Sequence, residues 1–137
     1  MSEAYRVAIT TDADVVTARQ RARSMGGDLG FTSTDLTLLA TAISEVARNI
    51  TAYAGEGEVR LRIVRGANGR QGIEVVASDE GPGIANVELA LQDGYTTGGG
   101  LGLGLPGARR LVDEFELQTA PGEGTTVRLV KWGCSGG

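Results

Sequence analysis

Hydrophobic and polar positions along the chain follow two periods, and these predict the order of the secondary-structure elements. Alternation of apolar and polar residues is typical of half-buried strands, and glycine-containing turns at 66–69 and 121–124 join such stretches into hairpins. The predicted strands are 5–10, 58–64, 72–78, 115–119 and 125–131.

The helical period predicts four further elements. The first is capped by Asp12 or Asp14 and runs to about Met25, and the second is capped by Ser33 or Thr34 and runs to about Tyr53. The other two lie over 86–92 and 106–114. We expect Gly26-Gly27 to end the first helix. The fold class that follows is α+β, with helices on one face of a mixed, mostly antiparallel sheet.

Composition narrows the class of protein. The 137 residues fit one domain, 1–137, with 132–137 as a disordered tail. A net charge of −4 and an aromatic content of 4% argue against a nucleic-acid partner. No apolar run is long enough for a membrane span, and no signal peptide is visible, so we expect a cytoplasmic protein. The absence of histidine excludes a phosphohistidine relay.

The second predicted helix has an apolar face and, on its opposite side, a pair of polar residues. Glu45 and Asn49 are four residues apart, so they are neighbours on the side opposite the core residues. An asparagine oxygen suits a hard cation such as Mg²⁺, and a glutamate one turn earlier could polarise a hydroxyl. A solvated helix face is the alternative interpretation.

Two glycine motifs follow. Asp79-x-Gly81-x-Gly83 comes directly after an apolar strand, where a carboxylate can accept a hydrogen bond while glycines let backbone approach a ligand; an ordinary turn is the alternative. The second motif interleaves glycine with leucine from Gly98 to Gly104 and leads into a helix, which favours phosphate binding. It lacks the lysine of a P-loop and the preceding strand of a dinucleotide fold.

These motifs, followed by Gly124-Thr125, resemble in their order the ATP site of the gyrase, heat-shock chaperone, histidine kinase and MutL superfamily. Within it, residues 44–50, 78–84, 93–115 and 122–125 are similar to the RsbT-type serine kinases, which regulate sigma factors by partner switching. The resemblance extends from about Arg6 to Trp132. It implies a two-layer α/β sandwich of the Bergerat ATP-binding type, with ATP and Mg²⁺ as cofactors.

The resemblance also implies a role for each matching residue. Glu45 would be the base on the substrate serine, Asn49 would hold Mg²⁺, and Asp79 would bind the adenine amine. Gly81 and Gly83 would shape the adenine pocket, and Thr125 would support Asp79. The lid over the phosphates would be Thr96, Thr97, Gly98, Gly99, Gly100, Leu101, Gly102, Leu103 and Gly104. Arg19 would grip the partner protein.

The partners implied are STAS-domain proteins of the RsbS and RsbR type as substrates, and a PP2C-type phosphatase activated by the free kinase. Residues 95–101 contain no lysine, so we expect the docked partner to complete the shielding of the γ-phosphate. Two alternatives stay open: a non-catalytic, ATP-gated binding module and a direct anti-sigma factor. The presence of Glu45 favours a kinase over a binding module, because a module that transfers nothing does not need the base.

Overall fold

A five-stranded antiparallel sheet forms one layer of the protein in the computed structural model, which describes residues 4–81, 104–119 and 122–133. Its strands are β1 (Tyr5–Ile9), β2 (Gly57–Arg65), β3 (Gln71–Asp79), β4 (Glu114–Thr119) and β5 (Thr125–Trp132). They lie in the order β1-β2-β3-β5-β4, so β1 and β4 are the edges. The sequence predicts a mixed sheet, but all four pairings of the described strands are antiparallel.

Within the described ranges, three α-helices form the second layer. They are α1 (Asp12–Asp28), α2 (Ser33–Tyr53) and α3 (Gly104–Leu111). Helix α2 packs against both α1 and α3. The helix predicted over 86–92 lies outside the described residues. The α+β class, with helices on one face of the sheet, is confirmed. None of the helices in the described ranges is long and apolar enough to cross a membrane.

The core lies between the two layers, because alternate strand residues turn their apolar side chains toward the helices. Ile73, Val75 and Ala77 of β3 are buried in this way, together with Ile43 and Val46 of α2. The face of the sheet away from the helices is here called the outer face.

The outer face carries an ion-pair network centred on Glu74, which is 8% exposed. Its Oε1 lies 2.8 Å from Arg62 Nη2, and its Oε2 accepts a hydrogen bond of 2.7 Å from Arg128 Nε. The hydrogen bond to Glu74 is the main cause that raises the pKa of Arg128. Charged side chains thus shield this face of the sheet from water, where the helices shield the other.

Helix α1 continues through the glycine pair predicted to end it. Its last residue is Asp28, and the left-handed backbone follows at Gly30, where φ is +82°. A Cβ at Gly26 would lie 2.6 Å from Leu36 Cδ2, so this glycine is a packing position between α1 and α2 rather than a helix end.

The helix caps lie one residue before the predicted ones. Thr11 is the N-cap of α1, where Asp14 accepts hydrogen bonds from the N–H groups of Thr10 (2.9 Å) and Thr11 (3.1 Å). Thr32 is the N-cap of α2 and accepts a hydrogen bond of 3.0 Å from the N–H of Asp35. In both helices a threonine therefore lies outside the first turn, while an aspartate lies within it.

Helix α3 begins and ends earlier than the sequence predicts. It runs over 104–111 instead of 106–114, so Pro106 is its third residue and still lies in the first turn, where no N–H is needed. The helix ends because the Asp113 N–H donates to Val130 O at 2.9 Å and leads the chain into β4.

The assignment of Trp132 to a disordered tail is wrong. Trp132 is the last residue of β5, and its N–H donates to Asp113 Oδ2 at 2.7 Å. Its indole Nε1 donates to Glu114 Oε2 at 2.9 Å, and the Arg70 guanidinium lies 4.5 Å from the ring centroid. Residues 134–137 of the predicted tail lie outside the described ranges.

Candidate functional site

Helix α2 supplies the first two residues of the candidate site. Glu45 and Asn49 lie one turn apart, as the spacing predicts. Glu45 is only 7% exposed, although the sequence placed it away from the core, and its Oε1 lies 3.8 Å from Arg48 Nη1. Asn49 is half-buried. A carboxylate this well shielded on a polar helix face is typical of a functional group rather than of a solvated surface residue.

Asp79 ends β3 at the margin of the sheet and is half-buried. Its Oδ1 accepts a hydrogen bond of 2.9 Å from the Gly81 N–H, which fixes the carboxylate to the loop that follows the strand. Within the described residues no hydrogen bond reaches Oδ2. One oxygen of Asp79 therefore orients the group, and the other is available to accept a hydrogen bond from a ligand.

Glycines surround the backbone of Asp79 on both neighbouring strands. Gly57 of β2 is its register partner, and a Cβ there would press on Ser78 O and lie 3.1 Å from Asp79 Cβ. Gly124 precedes β5 with φ at +78°, and a Cβ there would press on Asp79 O. A side chain at either position would displace the backbone at Asp79. The two glycines therefore leave the space beside Asp79 free.

The end of α2 packs directly onto this loop. A Cβ at Gly81 would lie 2.6 Å from Ala54 Cβ, at the C-cap of α2. A Cβ at Gly57 would lie 2.8 Å from Ile50 Cγ2. The C-terminal end of α2 and the Asp79 loop are therefore in direct contact.

Thr125 is buried at 5% and is the register partner of Asp79 in β5. Its hydroxyl lies 3.0 Å from the hydroxyl of Thr119, which also donates to Gly124 O at 2.9 Å. No side-chain hydrogen bond among the described residues joins Thr125 to Asp79. The two threonines therefore stabilise the backbone beside Asp79.

Arg19 of α1 reaches toward α2. Its Nη1 donates to Ser44 Oγ at 3.5 Å, and the same hydroxyl donates to Ala40 O at 3.0 Å. Ser44 is buried and directly precedes Glu45. Arg19 is thus hydrogen-bonded to the helix that contains the candidate base, Glu45.

Several predicted site residues fall outside the described ranges. These are Gly83, Thr96, Thr97, Gly98, Gly99, Gly100, Leu101, Gly102 and Leu103. Gly104 is the first residue of α3. The last glycine of the predicted lid therefore belongs to a helix.

The chemistry of the site fits Mg-ATP as far as the described residues reach. Asp79 Oδ2 suits an exocyclic amine donor, and the amide oxygen of Asn49 suits Mg²⁺. Among the described residues no group of three acidic, histidine or cysteine side chains could hold a metal by itself.

Sequence reasoning missed the residues that support this site. Gly57 and Ala54 approach Asp79 and Gly81 only because of strand register and helix length, which a local pattern does not contain. Arg48 was within reach of sequence reasoning, because it lies three residues after Glu45 on the same helix.

A shallow depression lined by Ser33, Thr34, Thr37 and Leu38 lies at the start of α2. Along the helix axis, Ser33 is roughly 24 Å from Asn49. The depression is lined without charged groups and lies too far away to take part in the chemistry of Glu45 and Asp79.

Comparison with known proteins gives three findings. The profile of the family described as "Histidine kinase-like ATPase domain" matches residues 9–131. The chain is 45% identical to the serine/threonine-protein kinase RsbT of Bacillus subtilis over 96% of its own length and 98% of that protein. It is 30% identical to an anti-sigma F factor of Caldanaerobacter subterraneus subsp. tengcongensis, over 84% of its length and 82% of the relative.

A solved structure has the same fold. The crystal structure of the RsbU and RsbW domains of Rv1364c from Mycobacterium tuberculosis superposes with a TM-score of 0.60 at 20% sequence identity. The match covers 96% of the present chain and 32% of that larger chain.

Proposed function

The chain belongs to the histidine kinase-like ATPase domain family and, within it, to the RsbT-type serine/threonine-protein kinases, and on that premise we propose that it phosphorylates a serine of a STAS-domain protein in a bacterial stress-signalling, partner-switching pathway. The observation that carries the proposal is the buried Glu45, one turn before Asn49, on a helix whose end packs onto the Asp79 loop. A module that only bound nucleotide would have no use for a shielded carboxylate at that position.

Each described residue has a proposed task. Asp79 Oδ2 accepts a hydrogen bond from the adenine amine while the Gly81 N–H holds Oδ1. The Asn49 amide oxygen binds Mg²⁺, which supplies charge stabilisation at the phosphates. Glu45 accepts the proton of the substrate serine as the serine oxygen bonds to the γ-phosphorus. The bond between that phosphorus and the bridging oxygen breaks, and ADP leaves.

Arg19 is the proposed docking residue for the substrate. Its contact with Ser44, next to Glu45, supports this role because a partner held at Arg19 would lie close to the candidate base. We propose STAS-domain proteins of the RsbS and RsbR type as these partners. When released from them, the kinase would bind and activate a PP2C-type phosphatase, and the exchange would take place in the cytoplasm.

The test is a phosphorylation assay with γ-labelled ATP, Mg²⁺ and STAS-domain proteins of the same genome. Glu45→Gln keeps the size of the side chain and removes its basicity, so we expect transfer to fall by about 10²–10⁴-fold while ATP affinity changes little. Glu116→Gln is the matched control, since it makes the same chemical change at a 62% exposed carboxylate on the outer face of the sheet.

Label on one STAS serine, lost in Glu45→Gln and kept in Glu116→Gln, is the expected result. Saturable ATP binding without transfer to any STAS protein would instead favour the ATP-gated binding module. Fast ATP hydrolysis without a partner would contradict the expectation that the docked partner completes the site.

A second candidate is a direct anti-sigma factor, favoured by the 30% identity to an anti-sigma F factor. It shares every nucleotide-binding residue with the kinase, so the difference lies in the partner. Binding of a purified sigma factor in the presence of ATP, measured by calorimetry beside a STAS protein, separates the two. Tight binding to the sigma factor would move the assignment to this candidate.

A further inference from the structure

The outer face of the sheet contains two arginines opposite each other where β1 meets β2, and the buried Nε of one of them has no hydrogen-bond partner. Val7 and Val59 are buried toward the helices, so the alternation of side chains turns Arg6 and Arg60 to the outer face. Arg6 is the register partner of Arg60, and Ala8 is its small neighbour on β1. We call Arg6 and Arg60 the basic pair.

The basic pair is electrostatically unfavourable in the free protein. Like charges directly opposite each other on neighbouring strands destabilise a sheet. Arg6 is exposed and makes no hydrogen bond or ion pair with any residue in the described ranges. Arg60 Nε is buried without a hydrogen-bond partner, since the nearest acid, Glu58 Oε2, is 3.5 Å away and not in hydrogen-bonding geometry. A buried donor in this state costs free energy until an acceptor reaches it.

The other arginines of the outer face are satisfied, which makes the basic pair distinct. Arg62 and Arg128 contact the two oxygens of Glu74 at 2.8 and 2.7 Å. Arg62 and Arg128 therefore have an acid in contact, whereas no acid among the described residues contacts the Arg6 side chain; Glu58, opposite Ala8, is its diagonal neighbour on β2. An acceptor supplied from outside would remove both the repulsion and the unpaired donor.

The surroundings select the kind of acceptor. A planar guanidinium group can bind a carboxylate through two parallel hydrogen bonds, in bidentate geometry. Glu58 lies beside Arg60 on the same face and would repel a polyanion or a doubly charged phosphate more than a single carboxylate. The net charge of −4 also disfavours nucleic acid. β1 is an edge strand, so an extended partner can lie beside it without displacing another strand.

We infer that the basic pair is a docking surface for an acidic, extended segment of a partner protein, which places carboxylates on Arg6 and Arg60 along β1. The inference requires neither nucleotide nor phosphoryl transfer, so it stands or falls separately from the proposed function.

The first test is fluorescence anisotropy with a labelled peptide that alternates glutamate and threonine, measured at low salt without nucleotide. Threonine favours the extended form, and alternation places the carboxylates on one side. The same peptide with glutamine in place of glutamate is the ligand control. We expect Arg6→Gln and Arg60→Gln each to weaken binding of the glutamate peptide about tenfold or more.

Arg65→Gln is the matched protein control, because Arg65 is an exposed arginine at the end of the same strand as Arg60. We expect it to bind the peptide as the wild type does. The Nε–Hε signal of Arg60 in ¹⁵N spectra, identified by its loss in Arg60→Gln, should shift when the peptide is added. That shift would locate the carboxylate at the buried donor.

Thermal unfolding of the free protein gives an independent measurement. Arg6→Gln removes the like-charge repulsion, so we expect its melting temperature to rise by about 1–3 °C while its peptide binding falls. A lower melting temperature would mean that Arg6 stabilises the fold through its own contacts, and it would overturn the inference. Equal binding of the glutamate and glutamine peptides, equal loss in Arg65→Gln, or preferential binding of duplex DNA or inorganic phosphate would also overturn it.

Discussion

At the scale of single residues, Asp14 shows how one carboxylate can organise the start of a helix. Its Oδ2 accepts hydrogen bonds from the Thr10 N–H (2.9 Å), the Thr10 hydroxyl (2.9 Å) and the Thr11 N–H (3.1 Å). These bonds, the backbone N–H of Thr10 first, lower the pKa of Asp14 from its ordinary value of 3.8. The ionised form is therefore the one that caps α1.

The lowered pKa predicts a pH-dependent contribution to stability. Because the folded pKa lies below the unfolded one, the contribution is complete above about pH 3.8 and is lost as the pH falls through the lowered folded value. We expect Asp14→Asn to melt below the wild type at neutral pH and the difference to shrink in acid. Melting curves from neutral pH downward test this, with Asp12→Asn as the control in the same turn. A difference that persists in acid would contradict the prediction.

Glu74 gives a second prediction at this scale. Glu74→Gln removes the negative charge of a largely buried carboxylate that contacts the guanidinium groups of both Arg62 and Arg128. We expect a loss of about 1–3 kcal/mol in the free energy of unfolding, since both arginines are partly exposed and water replaces part of the interaction. Urea unfolding measures it.

Glu116→Gln is the control for this change. Glu116 is 62% exposed and lies 3.8 Å from Arg128, so its removal should cost no more than a few tenths of a kcal/mol. Equal losses in the two variants would show that the network acts only through general surface charge.

Single residues of the candidate site were predictable where their chemistry is local. Glu45 and Asn49 follow from helical spacing, and Asp79 follows from an acid and glycines after an apolar strand. The burial of Glu45 was not predictable, because it depends on how α2 packs against neighbouring elements. The contact of Gly57 with Asp79 was not predictable either, because it depends on the register between β2 and β3.

At the scale of elements, the two glycines near the end of α1 have different surroundings. A Cβ at Gly26 would meet Leu36 and Phe31, whereas a Cβ at Gly27 would meet nothing within 4 Å. Both residues are helical. The sequence pattern treats them alike as helix-ending glycines, so the distinction comes from packing alone.

These surroundings predict opposite effects of one substitution. Gly27→Ala should raise the free energy of unfolding by about 0.5–1 kcal/mol, because alanine is the better helix former and the position is open. Gly26→Ala should gain nothing or lose stability, because the added methyl group displaces Leu36. Denaturant unfolding of both variants tests the pair. A gain at Gly26 equal to that at Gly27 would show that α1 and α2 can separate without cost.

Elements defined by strong periodicity were predicted well. The end of α2 was predicted correctly, its N-cap lies at Thr32, just before the predicted Ser33 or Thr34, and all five strands were found within one or two residues. The errors lie at α1 and α3, where tertiary contacts decide the bounds: Gly26 packs inside a helix, and the Asp113 N–H joins Val130 in the sheet. Local sequence does not encode those partners.

At the scale of the whole molecule, Trp132 is the single tryptophan and lies at the far end of β5 from Thr125. The two residues are roughly 24 Å apart along the strand. Since Thr125 is the neighbour of Asp79, the fluorophore is remote from the candidate nucleotide site. Its stacking with Arg70 and its hydrogen bond to Glu114 depend on an intact sheet.

We therefore expect tryptophan fluorescence to report unfolding and not nucleotide binding. Addition of Mg-ATP should leave the emission nearly unchanged, while urea should change it in one transition that coincides with the loss of far-UV circular dichroism. A fluorescence transition that precedes the loss of helix signal would mean that the end of β5 opens before the core.

The pairing of β3 with β5 has a consequence for how the family can diversify. Asp79 and Thr125 stand opposite each other, so the chain between them begins and ends at one point of the sheet. The entropy of closing such a loop grows only with the logarithm of its length, and a doubling costs about 0.6 kcal/mol. Since α3 and β4 lie within this segment, insertions in the connections outside these two elements can accumulate during evolution at little cost to folding, while the sheet stays the same.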